Sequence, residues 1–180
     1  MINYLIMKRN FIIAFFLILI PCNIIAAEFI YILNDKCIED LFQNASTFFF
    51  NTGISTVKDS RGIILRYFFE DPIVEYYRPN IKKYRLIEDF LVKIENPAII
   101  EVHINNFPSR NFANLKKWEF STIMSNYIED IITKPRGNIE QERINSIGYG
   151  EFLPAKNTSN NGGKILNRID IIILCNISGE

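Results

Sequence analysis

Few side chains in this 180-residue sequence could perform catalysis. His103 is the only histidine, so a Ser-His-Asp triad would have to use it, and it lies in a segment predicted to be a strand. The cysteines Cys22, Cys37 and Cys175 form no Cys-x-x-Cys pair or Cys/His cluster, which disfavours a zinc site with four nitrogen and sulfur ligands. No nucleophile–base pair or pair of carboxylates emerges either. The sequence therefore predicts a protein that is not an enzyme and holds no metal or cofactor.

Three short signatures in the second half of the chain contain polar residues that could bind a ligand. They read Val102-His103-Ile104-Asn105-Asn106, Gly148-Tyr149-Gly150-Glu151-Phe152-Leu153-Pro154, and Gly163-Lys164-Ile165-Leu166-Asn167-Arg168. Amide side chains donate and accept hydrogen bonds, and Lys or Arg can pair with a carboxylate. The signatures thus carry groups that bind, rather than a nucleophile with its base.

Four predicted strands and two predicted helices position these signatures. Apolar and β-branched runs predict the strands Ile63–Phe69, Ile99–Ile104, Ile144–Tyr149 and Ile169–Leu174. Helical spacing predicts one helix from Ile81 to Ile94, capped by Asn80, and a second from Leu115 to Ile132, whose buried stripe is Trp118, Ile123, Tyr127, Ile128 and Ile131. The order β-α-β-α-β-β predicts an α/β two-layer sandwich, with two helices on one face of a four-stranded mixed sheet.

Composition supports one globular domain and excludes some classes of protein. The hydrophobic share of 48% is too high for a disordered tail. Lys and Arg together number 20, and so do Asp and Glu, so no net field attracts nucleic acid.

The order and spacing of the three signatures resemble the peptidoglycan-binding domain shared by OmpA, the Pal lipoproteins and the flagellar stator protein MotB. In that family the signatures usually read Gly-His-Thr-Asp-Asn, Gly-Tyr-Gly-x-x-x-Pro and Gly-Arg-x-x-Asn-Arg-Arg. The resemblance implies an OmpA-like fold over residues 61–180, and a pocket beside the second helix that grips the diaminopimelate of a peptidoglycan stem peptide. Because this ligand is a zwitterion, such a pocket offers an anion, a cation and backbone amides.

The resemblance also implies which residues of this chain contact the ligand. The family's aspartate corresponds to Asn105 and the arginine of its second helix to Met124, so both halves of the charge clamp are neutral here. The implied ligand-binding residues are Asn105, Asn106, Lys117, Ser121, Met124, Lys164, Asn167 and Arg168. Nearby charges that could substitute for the clamp are Arg110, Lys116, Lys117, Arg168 and Glu119. Each lost charge-assisted hydrogen bond costs roughly 2–5 kcal/mol of binding, which predicts weakened or lost affinity.

Residues 1–27 have the pattern of an export signal. Lys8 and Arg9 precede the apolar run Phe11–Ile20, and small residues end at Ala27. Cleavage there is one alternative. Lipidation at Cys22, with a lipoprotein signal ending at residue 21, is the second, and an uncleaved anchor is the third. The first two place the mature chain in the periplasm or at the outer membrane of a Gram-negative bacterium.

Residues 28–60 are predicted to be an N-terminal extension that packs on the domain, with a short helix from Ile38 to Phe50 and a turn at Asn51-Thr52-Gly53. Removal of the signal leaves Cys37 and Cys175 as an even pair in an oxidising compartment. A disulfide between them and two separately buried thiols are both compatible with the sequence.

Two functions remain open from the sequence. The first is non-covalent anchoring to peptidoglycan. The second is a protein–protein scaffold, or a lipoprotein component of an envelope machine such as a type IVB secretion system, with envelope proteins as partners and possible membrane attachment. A proton-channel stator is disfavoured, because no acidic residue lies between Phe11 and Ala27.

Overall fold

The computed structural model describes residues 35–106, 115–152 and 167–175. The predicted leader 1–27, Cys22, Arg110 and Lys164 lie outside these ranges. Within them, no helix is long and apolar enough to cross a membrane. The elements in chain order are α1 (35–48), β1 (Ser55–Asp59), β2 (Gly62–Phe69), α2 (Pro72–Tyr77), α3 (Ile81–Leu91), β3 (Ala98–His103), α4 (Lys117–Thr133), a 3₁₀ turn (Gln141–Arg143), β4 (Ile144–Gly150) and β5 (Asn167–Leu174).

The five strands form one mixed sheet in the order β1-β2-β5-β3-β4. The β3–β4 pair is parallel, and the other three neighbouring pairs are antiparallel. Alternate side chains of the central strands enter a single core together with apolar residues of α1, α3 and α4. The strand contribution to this core includes Ile63, Leu65, Tyr67, Ala98, Ile100, Val102, Ile169, Ile171 and Ile173. We call this the helix face of the sheet, and the other the outer face.

The predicted α/β class and its four strands are confirmed, and a fifth strand is added. The sequence of β1, Ser55 to Asp59, is largely polar and half-exposed, so it carries no apolar alternation that would reveal a strand. It forms only because β2 pairs with it at the sheet edge.

Helix α1 (35–48) corresponds to the short helix expected from Ile38 to Phe50, whereas α2 was not predicted from the sequence. Helix α2 begins at Pro72, and Asp71 caps it. The Asp71 carboxylate accepts hydrogen bonds from the backbone N–H groups of Ile73 (2.8 Å) and Val74 (3.2 Å), and Pro72 occupies the first turn. Asn80 caps α3 as predicted.

The predicted buried stripe of α4 is confirmed only in part. Trp118 and Ile123 are 45% and 43% exposed. Ile128 is buried as predicted, and Tyr127 and Ile131 are half-buried. The other buried residues of the helix are Phe120, Ser121, Met124, Ser125, Ile132 and Thr133. Apolar residues occur all around this helix, and the contact with β4 selects the face that carries small serines, so periodicity alone does not fix the centre of the buried face.

A disulfide joins Cys37 of α1 to Cys175, which directly follows β5. Their Cα atoms lie 5.9 Å apart, and 138 positions separate them in the chain. The bond ties α1 to the end of a strand that pairs on both sides. It thereby closes a loop around nearly all of the described fold, which restricts the unfolded chain strongly.

We expect reduction of this disulfide to lower the free energy of unfolding by about 2–4 kcal/mol. Urea denaturation with and without reductant measures the loss. The double variant Cys37→Ser, Cys175→Ser serves as the control, since its stability must not respond to reductant. Equal thiol titres of the denatured protein with and without reductant would contradict the bond.

Candidate functional site

The three polar signatures converge at one end of the sheet. His103 at the end of β3 is in register with Gly150 of β4 on one side and with Arg168 of β5 on the other. The backbone N–H of Ile104 donates to the carbonyl of Gly150 at 2.8 Å. The first turn of α4 lies over this same end. The chain therefore brings residues from all three signatures together.

The glycines of the second signature allow β4 to lie directly against α4. A Cβ atom on Gly148 would come within 2.2 Å of the Thr122 backbone nitrogen, and one on Gly150 within 2.8 Å of the Trp118 nitrogen. Gly150 also has a φ of 53°, which side chains other than glycine rarely adopt. Ser121 completes the contact, since its hydroxyl accepts from the Gly150 N–H and donates to the Trp118 carbonyl, both at 2.8 Å. Gly148, Gly150 and Ser121 thus have packing roles.

Asn167 of the third signature organises the loop that follows β3. Its Oδ1 atom accepts hydrogen bonds from the backbone N–H groups of Asn105 and Asn106, each at 2.8 Å. Its Nδ2 group donates to the carbonyl of Glu70 at 2.9 Å, and the side chain is fully buried. Asn167 therefore holds the start of this loop against the end of β2, and two loop amides that could face a ligand donate to it instead.

The positions of the family's charge clamp carry no charge. Asn105 is half-buried and neutral. Met124 is 1% exposed and belongs to the hydrophobic core with Phe120 and Ile128. The helix position to which the resemblance assigns the arginine thus faces the interior of this protein.

Exposed charges remain at the first turn of α4. Lys117 pairs with Glu151, which follows β4, and their side chains are 33% and 55% exposed. Glu119 is committed to capping the helix, because its carboxylate accepts from the Lys116 N–H at 2.6 Å. Of the predicted ligand-binding residues that the structure describes, Lys117 is the one with an exposed charge.

Arg168, the last predicted binding residue, is committed to a buried ion network on the outer face. Its Nε atom donates to Asp170 at 2.8 Å, and Arg66 donates to both carboxylate oxygens of Asp170, at 2.7 and 2.8 Å. Asp170 is 2% exposed. Burial would raise the pKa of Asp170, but the hydrogen bonds from Arg66 and Arg168 outweigh it and hold the pKa below its ordinary value.

Sequence reasoning missed this network, although a signal for it exists. Asp170, Arg66 and Glu101 each interrupt an otherwise apolar strand, and the register places Asp170 directly between the other two. Single charged residues at matching positions of three neighbouring strands indicate an ion network on one sheet face.

The same face groups Glu101, His103 and Asp170, whose possible metal-ligating atoms lie within 4.8 Å of one another. Guanidinium groups already neutralise the two carboxylates, since Arg66 and Arg168 donate to Asp170, and Arg61 donates to Glu101 at 3.2 Å. A divalent cation would have to displace them, so the donor set fits an internal ion network better than a metal centre.

Comparison with known proteins identifies the fold. No protein-family model matches the chain, and no curated protein matches it. A putative MotB-like protein from Desulfovibrio vulgaris is 21% identical over 78% of this chain and 99% of its own, with a TM-score of 0.61. The cell wall anchor of the T6SS from Pseudomonas aeruginosa is 12% identical over 72% of this chain and 96% of its own, with a TM-score of 0.57. The periplasmic domain of Helicobacter pylori MotB is 15% identical over 69% of this chain and 84% of its own, with a TM-score of 0.55. The chain therefore has the MotB-like fold, the OmpA-like fold that its three signatures predict.

Proposed function

We propose that this protein is an exported cell-envelope protein that anchors non-covalently, and weakly, to peptidoglycan of the diaminopimelate type. A cell wall anchor and two MotB-like proteins with the same fold support the general class, which is a binding domain rather than an enzyme. Export through residues 1–27, with cleavage there or lipidation at Cys22, belongs to the same proposal and places the domain in the periplasm or at the outer membrane.

The observation that carries the proposal is the exposed pair of Lys117 and Glu151 at the first turn of α4. A zwitterionic stem peptide needs one cation and one anion, and this pair offers both beside the position of the family's pocket. An exposed ion pair contributes only about 0.2–1 kcal/mol, so a ligand can open it at little cost. Because Asn105 and Met124 add no charge, the affinity should be well below that of an intact clamp.

Co-sedimentation of the purified protein with diaminopimelate-type sacculi tests this function. We expect the protein to sediment with the sacculi at low salt and to be released as salt rises, since exposed charges are screened. Lys117→Ala should reduce the bound fraction several-fold.

The matched control is Lys134→Ala, which removes a lysine that pairs with Asp130 at the opposite end of the same helix and is more exposed than Lys117, with 63% of its side chain accessible against 33%. Its bound fraction should equal that of the natural protein. Absence of the natural protein from the sacculus pellet at low salt would refute peptidoglycan anchoring.

A protein–protein scaffold within an envelope machine, such as a type IVB secretion system, is the second candidate function. It is favoured by the burial of Met124 in the core, which supports a packing role at the helix position that the resemblance assigns to the clamp. If sacculi do not retain the protein, in-cell cross-linking from the surface of α4 should identify envelope proteins as partners.

A further inference from the structure

Helix α4 and strand β4 meet along a line where the helix side chains are exposed and the strand side chains are small or absent. Gly150 lies against Trp118, and Gly148 lies against Thr122. One step further, the Ser146 hydroxyl donates to the Asn126 side-chain carbonyl at 2.8 Å. We call these six residues the α4–β4 seam. Its helix residues are spaced four apart, so they form one row along about 12 Å of helix.

Trp118 stands at the end of this row, beside the Lys117–Glu151 pair. Its side chain is 45% exposed, although its backbone is held firmly by Ser121 and by the close approach of Gly150. Phe152, the chain neighbour of Glu151, is 71% exposed. Large aromatic rings left in water on a rigid backbone are typical of binding surfaces.

We propose that the α4–β4 seam binds the glycan strand of peptidoglycan, with Trp118 stacking on the apolar face of a sugar ring. The inference rests on the proposed anchoring function and adds a second ligand chemistry to the same end of the domain. The neutral amide and hydroxyl of Asn126 and Ser146 suit the acetamido and hydroxyl groups of an N-acetylated sugar, which both donate and accept hydrogen bonds.

The composition of the seam favours a sugar chain over a protein partner. Binding energy between proteins concentrates on aromatic residues in the centre of a dry apolar patch. Here the row that begins with Trp118 continues with Thr122 and Asn126, which are exposed and polar, and Lys117 balances Glu151. The six seam residues carry no charge, and their one flat ring and line of neutral hydrogen-bonding groups are complementary to an uncharged polyol.

Because Trp118 is the only tryptophan of the chain, its fluorescence reports on the seam directly. The experiment titrates the full-length protein with peptide-free glycan strands, released from sacculi by an amidase, and separately with the released stem peptide. We expect saturable quenching or a blue shift with the glycan strands. Asn126→Ala keeps the fluorophore and should weaken the glycan affinity several-fold.

Co-sedimentation with intact sacculi supplies the second measurement. Trp118→Ala should lower the affinity about tenfold, as expected when an aromatic contact that dominates binding is truncated. Phe50→Ala is the matched control, since Phe50 is 75% exposed on the turn after α1 and lies outside the seam. This control should bind sacculi like the natural protein.

The outcomes separate the two proposals. Binding to sacculi without any fluorescence response to glycan strands, and with full retention of Trp118→Ala, would overturn the glycan site and leave peptidoglycan anchoring intact. A fluorescence response to the stem peptide alone would also overturn it. No binding to sacculi by the natural protein would refute anchoring, and an unchanged fluorescence with glycan strands would then refute the seam as a glycan site as well.

Discussion

Replacement of Asp170 by Asn should lower the free energy of unfolding by about 3–5 kcal/mol, the usual loss when one partner of a buried ion network is removed. The substitution preserves the shape of the side chain. It leaves the buried Arg168 guanidinium and the half-buried Arg66 guanidinium without the carboxylate that receives three of their N–H groups. Urea denaturation measures the loss.

Asp59→Asn is the matched control for this substitution. Asp59, the last residue of β1, accepts from Arg61, which is 46% exposed and lies in the turn between β1 and β2. Since water solvates this pair, Asp59→Asn should lower the free energy of unfolding by no more than about 1 kcal/mol. If Asp170→Asn and Asp59→Asn lower the free energy of unfolding equally, the buried network on the outer face contributes no more to stability than a solvated ion pair.

The acid dependence of stability gives a second readout of Asp170. A carboxyl group whose pKa is lowered on folding stabilises the protein above its unfolded pKa, and this contribution is lost as the pH falls through the folded pKa. Because the pKa of Asp170 is lowered, its contribution should be complete above about pH 5 and should decline in more acidic solution. In Asp170→Asn this component of the acid dependence should be absent.

The substitution Met124→Arg, which places an arginine where the sequence resemblance expects one, should destabilise the fold by several kcal/mol. Met124 is 1% exposed, so the new guanidinium would be placed among apolar side chains without a counter-ion. We expect a loss of about 3–5 kcal/mol in urea denaturation, as for other uncompensated buried charges.

Ile123→Arg provides the control one position earlier on the same helix. Ile123 is 43% exposed, so an arginine at this position can reach water. The free energy of unfolding should therefore change by no more than about 0.5 kcal/mol. A small effect of Met124→Arg would mean that the side chain at this position can leave the core and reach the pocket.

The double variant Asn105→Asp, Met124→Arg shows whether the clamp can be rebuilt. If Asp at position 105 recovers more than about 1 kcal/mol of the loss, the two side chains must pair, because independent sites contribute additively. Additive effects would indicate that the pocket of the related domains no longer exists here. Binding to sacculi would then depend on exposed groups such as Lys117 and Trp118.

The sequence alone determined the fold class and the elements of the core. The runs at Ile63–Phe69 and Ile169–Leu174 predicted central strands correctly, because β-branched residues in continuous apolar segments are typical of strands buried on both faces. Asn80 was identified as a helix cap from its own local chemistry. Such features depend on interactions within a few residues, so the linear sequence reveals them.

Only the tertiary structure decided the features that depend on distant neighbours. The polar strand β1 exists through its pairing with β2, and the orientation of α4 follows from the approach of Gly148 and Gly150, which turns Met124 into the core and Trp118 toward water. Arg168 pairs with Asp170, and the backbone N–H groups of the loop after β3 donate to Asn167. Local sequence patterns show which groups can form hydrogen bonds and ion pairs. Strand register and helix contacts determine which partners those groups meet. Register and helix contacts depend in turn on packing between residues that are far apart in the sequence.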